Sequence, residues 1–220
     1  MAKRFTYYSN EASTPAGLWT LVSRTSFGSA SGGTTPSINT TTANLIVAEV
    51  SSYYPVGEPV LSDSKGNTWI ALTRHYDLGL ISSNRLYYCI NPTVGSGHTF
   101  TLTGSFVSFN VTAFNNTITP TYLAENGNAD LGINAYIDCG SLTNTLSNAL
   151  FICSMSNLNS GTPPITLNSG YTQLDSFYNT TAAYISSSAG YKIVNGIVTL
   201  NPRFSYTNAN YQSASHAVFQ

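Results

Sequence analysis

The second half of this chain repeats the first. Ala43-Asn44-Leu45-Ile46-Val47-Ala48 returns as Asn148-Ala149-Leu150-Phe151-Ile152-Cys153. Pro59-Val60-Leu61-Ser62-Asp63-Ser64 returns as Pro163-Pro164-Ile165-Thr166-Leu167-Asn168, and Trp69-Ile70-Ala71-Leu72 as Tyr171-Thr172-Gln173-Leu174. Ala113-Phe114 returns as Val218-Phe219. The offset is about 104 residues, and the echoes keep chain order, as a repeated structural unit requires. The quasi-repeats run over 34–115 and 138–219, with residues 1–33 ahead of them.

The repeated unit is made of strands. No window shows the i, i+3, i+4, i+7 apolar spacing of an amphipathic helix. Short alternating runs recur instead between Gly, Pro, Asn and Ser clusters, the pattern of an all-β sandwich or barrel. The expected strands are 4–9, 18–26, 44–53, 58–62, 67–76, 84–91, 97–103, 106–115, 118–124, 132–138, 149–157, 164–167, 171–178, 181–193, 196–206 and 211–219. Thr99-Phe100-Thr101-Leu102-Thr103 alternates strictly, which points Phe100 and Leu102 into a core. Phe109, Val111 and Ala113 form a second inward row. Asp63-Ser64-Lys65-Gly66-Asn67 reads as a hairpin turn, with Gly66 free to take positive φ, and Asn195-Gly196 as another. Ala124 to Asp130 reads as a polar loop between the halves.

Two architectures fit. The halves form two immunoglobulin-like sandwiches, or they interleave into one jelly-roll-like sandwich. Residues 116–137 still look strand-forming and lack the composition of a flexible tether. Each half also offers few strands for a core of its own. The expected fold is therefore all-β: an antiparallel two-sheet β-sandwich, jelly-roll-like, built from an internally duplicated half.

Charge is scarce, at 8% of residues against about 25% in an average soluble domain. The net charge is −1 and the eight basic residues are scattered, so no nucleic-acid footprint is expected. No apolar stretch is long enough for membrane insertion. Met1-Ala2-Lys3-Arg4 is basic, but Phe5 to Asn10 is no apolar signal core, so no secretory signal is expected. Cys89, Cys139 and Cys153 have no zinc spacing. Cys89 and Cys153 read as small buried hydrophobes, and a Cys139–Cys153 bridge stays open.

The hairpin carries a resemblance. Asn44-Leu45-Ile46-Val47, then Pro59 through the Asp63-Ser64-Lys65-Gly66-Asn67-Thr68-Trp69 turn, then Arg85-Leu86-Tyr87-Tyr88, then Thr99 to Thr103 resemble a recurrent module of phage virion and bacterial surface proteins. The second half follows it more loosely, with Ser169-Gly170-Tyr171 at the hairpin. The resemblance implies a β-sandwich with a structural or adhesive role, and implies no chemistry.

Candidate sites are few. His75, His98 and His216 are isolated in sequence, and His216 matches Val111 in the repeat, which favours packing over catalysis. Asp63, Asn67 and Asp77, or Asn126, Asn128 and Asp130, offer oxygens for calcium, but read better as turn residues. No metal and no cofactor is expected. The aromatic pairs Tyr7-Tyr8, Tyr53-Tyr54 and Tyr87-Tyr88 should each expose one ring, since neighbours on a strand face opposite ways. Tyr53, Tyr54 and Trp19 are the candidate contact residues for carbohydrate or protein, and Pro55 places Tyr54 at a loop tip. The expected function is a non-enzymatic phage virion structural protein. A capsid decoration protein comes first, and a tail-fibre or adhesin module binding host glycan is the alternative. Its partners would be other capsid or tail proteins and its own copies, a trimer among the forms such a homo-oligomer takes. Its location would be the virion, after synthesis in the host cytoplasm.

Overall fold

The computed structural model describes residues 18–131, 134–158, 164–168, 170–178, 185–207 and 211–220. The expected strand 4–9 with its Tyr7-Tyr8 pair lies outside them. The first half gives β1 (Trp19–Ser29), β2 (Gly33–Thr34), β3 (Leu45–Tyr53), β4 (Leu61–Asp63), β5 (Ile70–Ala71), β6 (His75–Tyr76), β7 (Ser82–Ile90), β8 (Phe100–Leu102) and β9 (Val107–Asn116). The second gives β10 (Tyr122–Asp130), β11 (Tyr136–Asp138), β12 (Leu142–Thr143), β13 (Ala149–Leu158), β14 (Thr166–Leu167), β15 (Thr172–Gln173), β16 (Phe177–Tyr178), β17 (Ile185–Val194), β18 (Thr199–Leu200), β19 (Arg203–Ser205) and β20 (Gln212–Phe219).

Each half builds one six-stranded antiparallel sheet. The orders are β1-β9-β3-β7-β5 and β10-β20-β13-β17-β15, with β6 and β16 added on β7 and β17. Registers agree across the duplication. Leu45 faces Phe114 and Ile90, as Leu150 faces Phe219 and Ile193. Among the described residues every strand pairs within its own half, so the halves stack a sheet each rather than interleave strands.

The repeat is longer than the sequence echoes. β1 and β10 are equivalent edge strands, and both carry a bulge at one place, between Leu21 and Ser23 and between Tyr122 and Ala124. A bulge inserts one extra residue and turns its side chain. The extra residues, Val22 and Leu123, pack into the clusters behind their own sheets. Residues 124–130 are therefore strand, not loop. Their backbone ladder to β20, from Ala124↔Val218 to Asp130↔Gln212, holds polar residues that an edge position tolerates.

The two large sheets face each other across one core. Leu45, Val47, Leu86, Tyr88 and Phe114 meet Leu150, Ile152, Ala217 and Phe219 there. Towards the other end of this interface the contacts turn polar and small. Ser51 donates to the Met155 carbonyl at 3.2 Å, Ser154 to Asn84 Oδ1 at 2.8 Å, and Ser82 to Ser156 at 2.8 Å. The outer faces are covered by small sheets: β2-β8-β4 on the first half, β11-β19-β14 and β12-β18 on the second. Ile46, Ala48, Phe109 and Val111 pack against Phe100 and Leu102 of the small sheet, so both expected inward rows hold.

Covering on both faces explains two departures from expectation. Tyr87 and Tyr88 are both largely buried, each packed in a different core, so neither stands out from the surface. The two expected hairpins are corners between sheets. β4 pairs with β8 while β5 pairs with β7, so the Asp63–Asn67 turn carries the chain from the small sheet to the large one. Asn195-Gly196 leads from β17 to β18, which pairs with β12.

Candidate functional site

The Asp63 corner is held by one carboxylate. Its Oδ1 accepts from the Lys65 N–H at 2.8 Å and from Asn67 Nδ2 at 3.2 Å, and its Oδ2 from Trp69 Nε1 at 2.9 Å. His98 Nε2 lies 3.0 Å from Oδ1, and His98 Nδ1 lies 2.9 Å from Thr40 Oγ1. With its proton on Nε2, the imidazole donates to Asp63 and accepts from the Thr40 hydroxyl. Burial pushes the Asp63 carboxyl up, but these donors outweigh it and hold it below the usual carboxylate value.

Hydroxyl, imidazole and carboxylate here stand in the order of a hydrolase triad. Both His98 and Asp63 side chains are 0% exposed, and Thr40 is fully buried. No substrate carbonyl reaches that hydroxyl, so the arrangement is a pin between the corner and the Thr40 loop. The repeat supports this: Leu167 stands in place of Asp63 opposite the equivalent phenylalanine. His216 is sealed likewise, between the Gly140 carbonyl at 2.9 Å and the Tyr171 hydroxyl at 3.2 Å. Burial lowers its pKa to about 4, so it is neutral at pH 7. His75 packs its ring on Gly127, where a Cβ would lie 2.1 Å from Nε2.

An open cleft of about 400 Å³ lies beside the corner. Trp69, Tyr87, Pro59 and Leu61 supply its apolar wall, Val60 its exposed rim and Glu58 its charge. Glu58 Oε1 accepts from the Tyr87 hydroxyl at 2.9 Å and pairs with Arg85. Partial burial raises the Glu58 pKa, but Tyr87, Arg85 and the more distant Arg74 outweigh it, so the carboxyl sits below its usual value and stays ionised. Burial and that hydrogen bond push the Tyr87 phenol up to about 12, so it remains a donor. The Arg85 guanidinium lies 5.4 Å from the centre of the Tyr87 ring. Glu58 Oε2 has no hydrogen-bond partner among the described residues.

The expected contact residues lie elsewhere. Trp19 is 5% exposed, edge-on to Phe114 in the core between the large sheets, with its indole N–H on the Asn148 carbonyl at 3.2 Å. It is a packing residue, because β1 is covered by the facing sheet. Tyr53 packs edge-on against Phe106. Tyr54 opens a single 3-10 turn, Tyr54–Val56, and is half-buried rather than a bare tip. Its ring sits 4.8 Å from that of Tyr76, with Arg74 over it at 4.5 Å. The two polar residues of the cleft that matter most, Glu58 and Tyr87, and the Arg85 paired to Glu58, come from a loop and a strand far apart in sequence. The legible signal was the rarity of charge: a Glu and an Arg in so uncharged a chain.

The calcium candidates do not converge. Asp77 closes the β6–β7 turn, accepting from the N–H groups of Gly79 and Ile81, and Asn126, Asn128 and Asp130 are spread along extended β10. Cys89, Cys139 and Cys153 are buried free thiols. Among the described residues no helix is long and apolar enough to cross a membrane. In comparisons with known proteins, no family model matches the chain, and no curated protein or solved structure matches it.

Proposed function

We propose that this chain is a non-enzymatic structural protein of a phage particle, first of all a capsid decoration protein displayed as a homo-oligomer on the particle surface. The observation that carries the reading is the use made of its polar residues. The set with the order of a catalytic triad found among the described residues, Thr40, His98 and Asp63, is sealed and pins a corner. His216 is spent in the same way. A duplicated β scaffold locked from within, with an uncharged Ser, Thr and Asn surface, suits rigid display better than turnover. The resemblance of the Asp63–Trp69 corner and its neighbouring strands to virion modules supports the phage assignment.

The test is mass spectrometry of purified particles together with antibody labelling under the electron microscope. The expected result is a stoichiometric, evenly distributed signal on the capsid. Labelling confined to the tail would move the protein to a tail component, and absence from particles would overturn the reading.

A further inference from the structure

We infer that the cleft beside the Asp63 corner is a binding site for a neutral saccharide, seated against Trp69 with a sugar hydroxyl on the free oxygen of Glu58. This goes beyond a display role and does not depend on where the protein is displayed.

The duplication supplies the first argument. The second half builds the same sheets without the cleft residues Tyr87 and Trp69 and without the Arg85 that pairs with Glu58. Ser188 takes the place of Arg85, Gly190 that of Tyr87 and Tyr171 that of Trp69. The space is filled instead: a Cβ on Gly190 would lie 2.2 Å from Leu167 Cδ2. The Tyr171 hydroxyl is tied to His216. The scaffold therefore does not require the phenol, guanidinium and carboxylate that the first half assembles.

Charge supplies the second. Glu58 is ionised, but Arg85 is paired to it and Arg74 adds a second positive field. A cationic ligand would meet two guanidiniums, one already over the Tyr87 ring. An anionic ligand would meet the carboxylate. A neutral ligand that donates hydroxyl hydrogens and has an apolar C–H face meets neither objection. The carboxylate oxygen accepts the hydroxyl, and a charge-assisted bond of that kind is among the stronger ones. The half-buried indole of Trp69 and the exposed rim residue Val60 offer the apolar face its contact. An open cleft of this size at the lower end of the ligand-pocket range fits one or two pyranose rings and an affinity in the millimolar range.

The test is NMR titration of the 220-residue protein, following the Trp69 indole N–H and the backbone amides of Val60 and Tyr87. The probes are cellobiose, lactose, maltotriose and chitobiose, with sialyllactose as the anionic and choline as the cationic comparison. The expected result is a saturable shift at Trp69 with at least one neutral sugar and none with choline. Glu58→Gln should weaken that binding at least tenfold. Val60→Glu changes only an exposed side chain and should weaken it too, in a protein whose other resonances are unmoved. No shift with any neutral sugar at millimolar concentration, preference for choline or sialyllactose, or binding unchanged in both variants would each overturn the inference.

Discussion

Glu49 lies between the two large sheets, its Oε1 accepting from Thr112 at 3.0 Å and its Oε2 buried with no partner. Burial raises its pKa from 4.5 to about 8, against the smaller lowering effect of the Thr112 bond. Between those values the folded protein holds a proton that the unfolded chain has lost, so stability falls as pH rises through that window. His216 acts in the opposite sense. Between about 4 and 6.5 the unfolded chain binds a proton that the buried imidazole refuses, so stability rises with pH there. Burial lowers the His75 pKa too, so it adds to the His216 slope. These oppose the Glu49 slope up to pH 6.5, above which the Glu49 slope remains among the described residues. The expected loss between pH 6.5 and 8 is on the order of 2 kcal/mol. Urea unfolding at the two pH values measures it. Glu49→Gln should flatten that difference, and an equal loss in the variant would put its cause elsewhere. Nothing in the sequence marked Glu49. It sits in an apolar strand run whose alternation shows which face it shares with Leu45 and Val47, but not that a second sheet covers that face.

At the scale of elements, the Asp63 corner was legible as a turn and illegible as a junction. Asp63 and Gly66 announce the chain reversal by their chemistry, and Gly66 indeed takes φ 72° with the Asp63 carbonyl accepting its N–H. Period-two alternation fixes the face of a strand but not its partner, so the sequence could not say that β4 and β5 join different sheets. The matching bulges at Val22 and Leu123 were hidden for a similar reason. Edge strands keep backbone geometry while their side chains drift, and the echo there is structural alone. Gly66→Ala should cost about 1 kcal/mol, since a Cβ there meets open space and only the left-handed backbone is penalised. Asp63→Ala should cost roughly 3 kcal/mol, because it strands the buried His98 ring nitrogen and the Trp69 indole N–H together. Thermal unfolding compares the two. A smaller effect for Asp63→Ala than for Gly66→Ala would mean that the pin does not hold the corner.

At the scale of the molecule the halves clasp each other reciprocally. The loop after β5 gives Thr73 to Glu125 on β10, through its N–H at 2.9 Å and its hydroxyl at 2.7 Å. The equivalent loop after β15 gives Asp175 Oδ2 to Ser26 on β1 at 2.7 Å. His75 rests on Gly127 of β10, and Phe177, its counterpart, rests on Gly28 of β1. Exchange of the same two surfaces is the mark of an isologous pair, so the chain behaves as a two-fold dimer joined into one polypeptide. Such a pair shares its core, and Phe219 of the second half packs edge-on against Tyr88 of the first at 5.4 Å. Phe219→Ala should therefore cost about 3–5 kcal/mol. The loss should fall on both halves at once. Trp69 lies wholly in the first half, and the other tryptophan, Trp19, lies at the shared core, so Trp19→Phe leaves Trp69 as the sole fluorescence reporter. In that background the Trp69 midpoint and the far-ultraviolet circular dichroism midpoint should fall together on adding Phe219→Ala. A Trp69 midpoint left in place while the dichroism transition splits would show two halves that touch without sharing stability, and the shared core would then be a contact rather than a foundation.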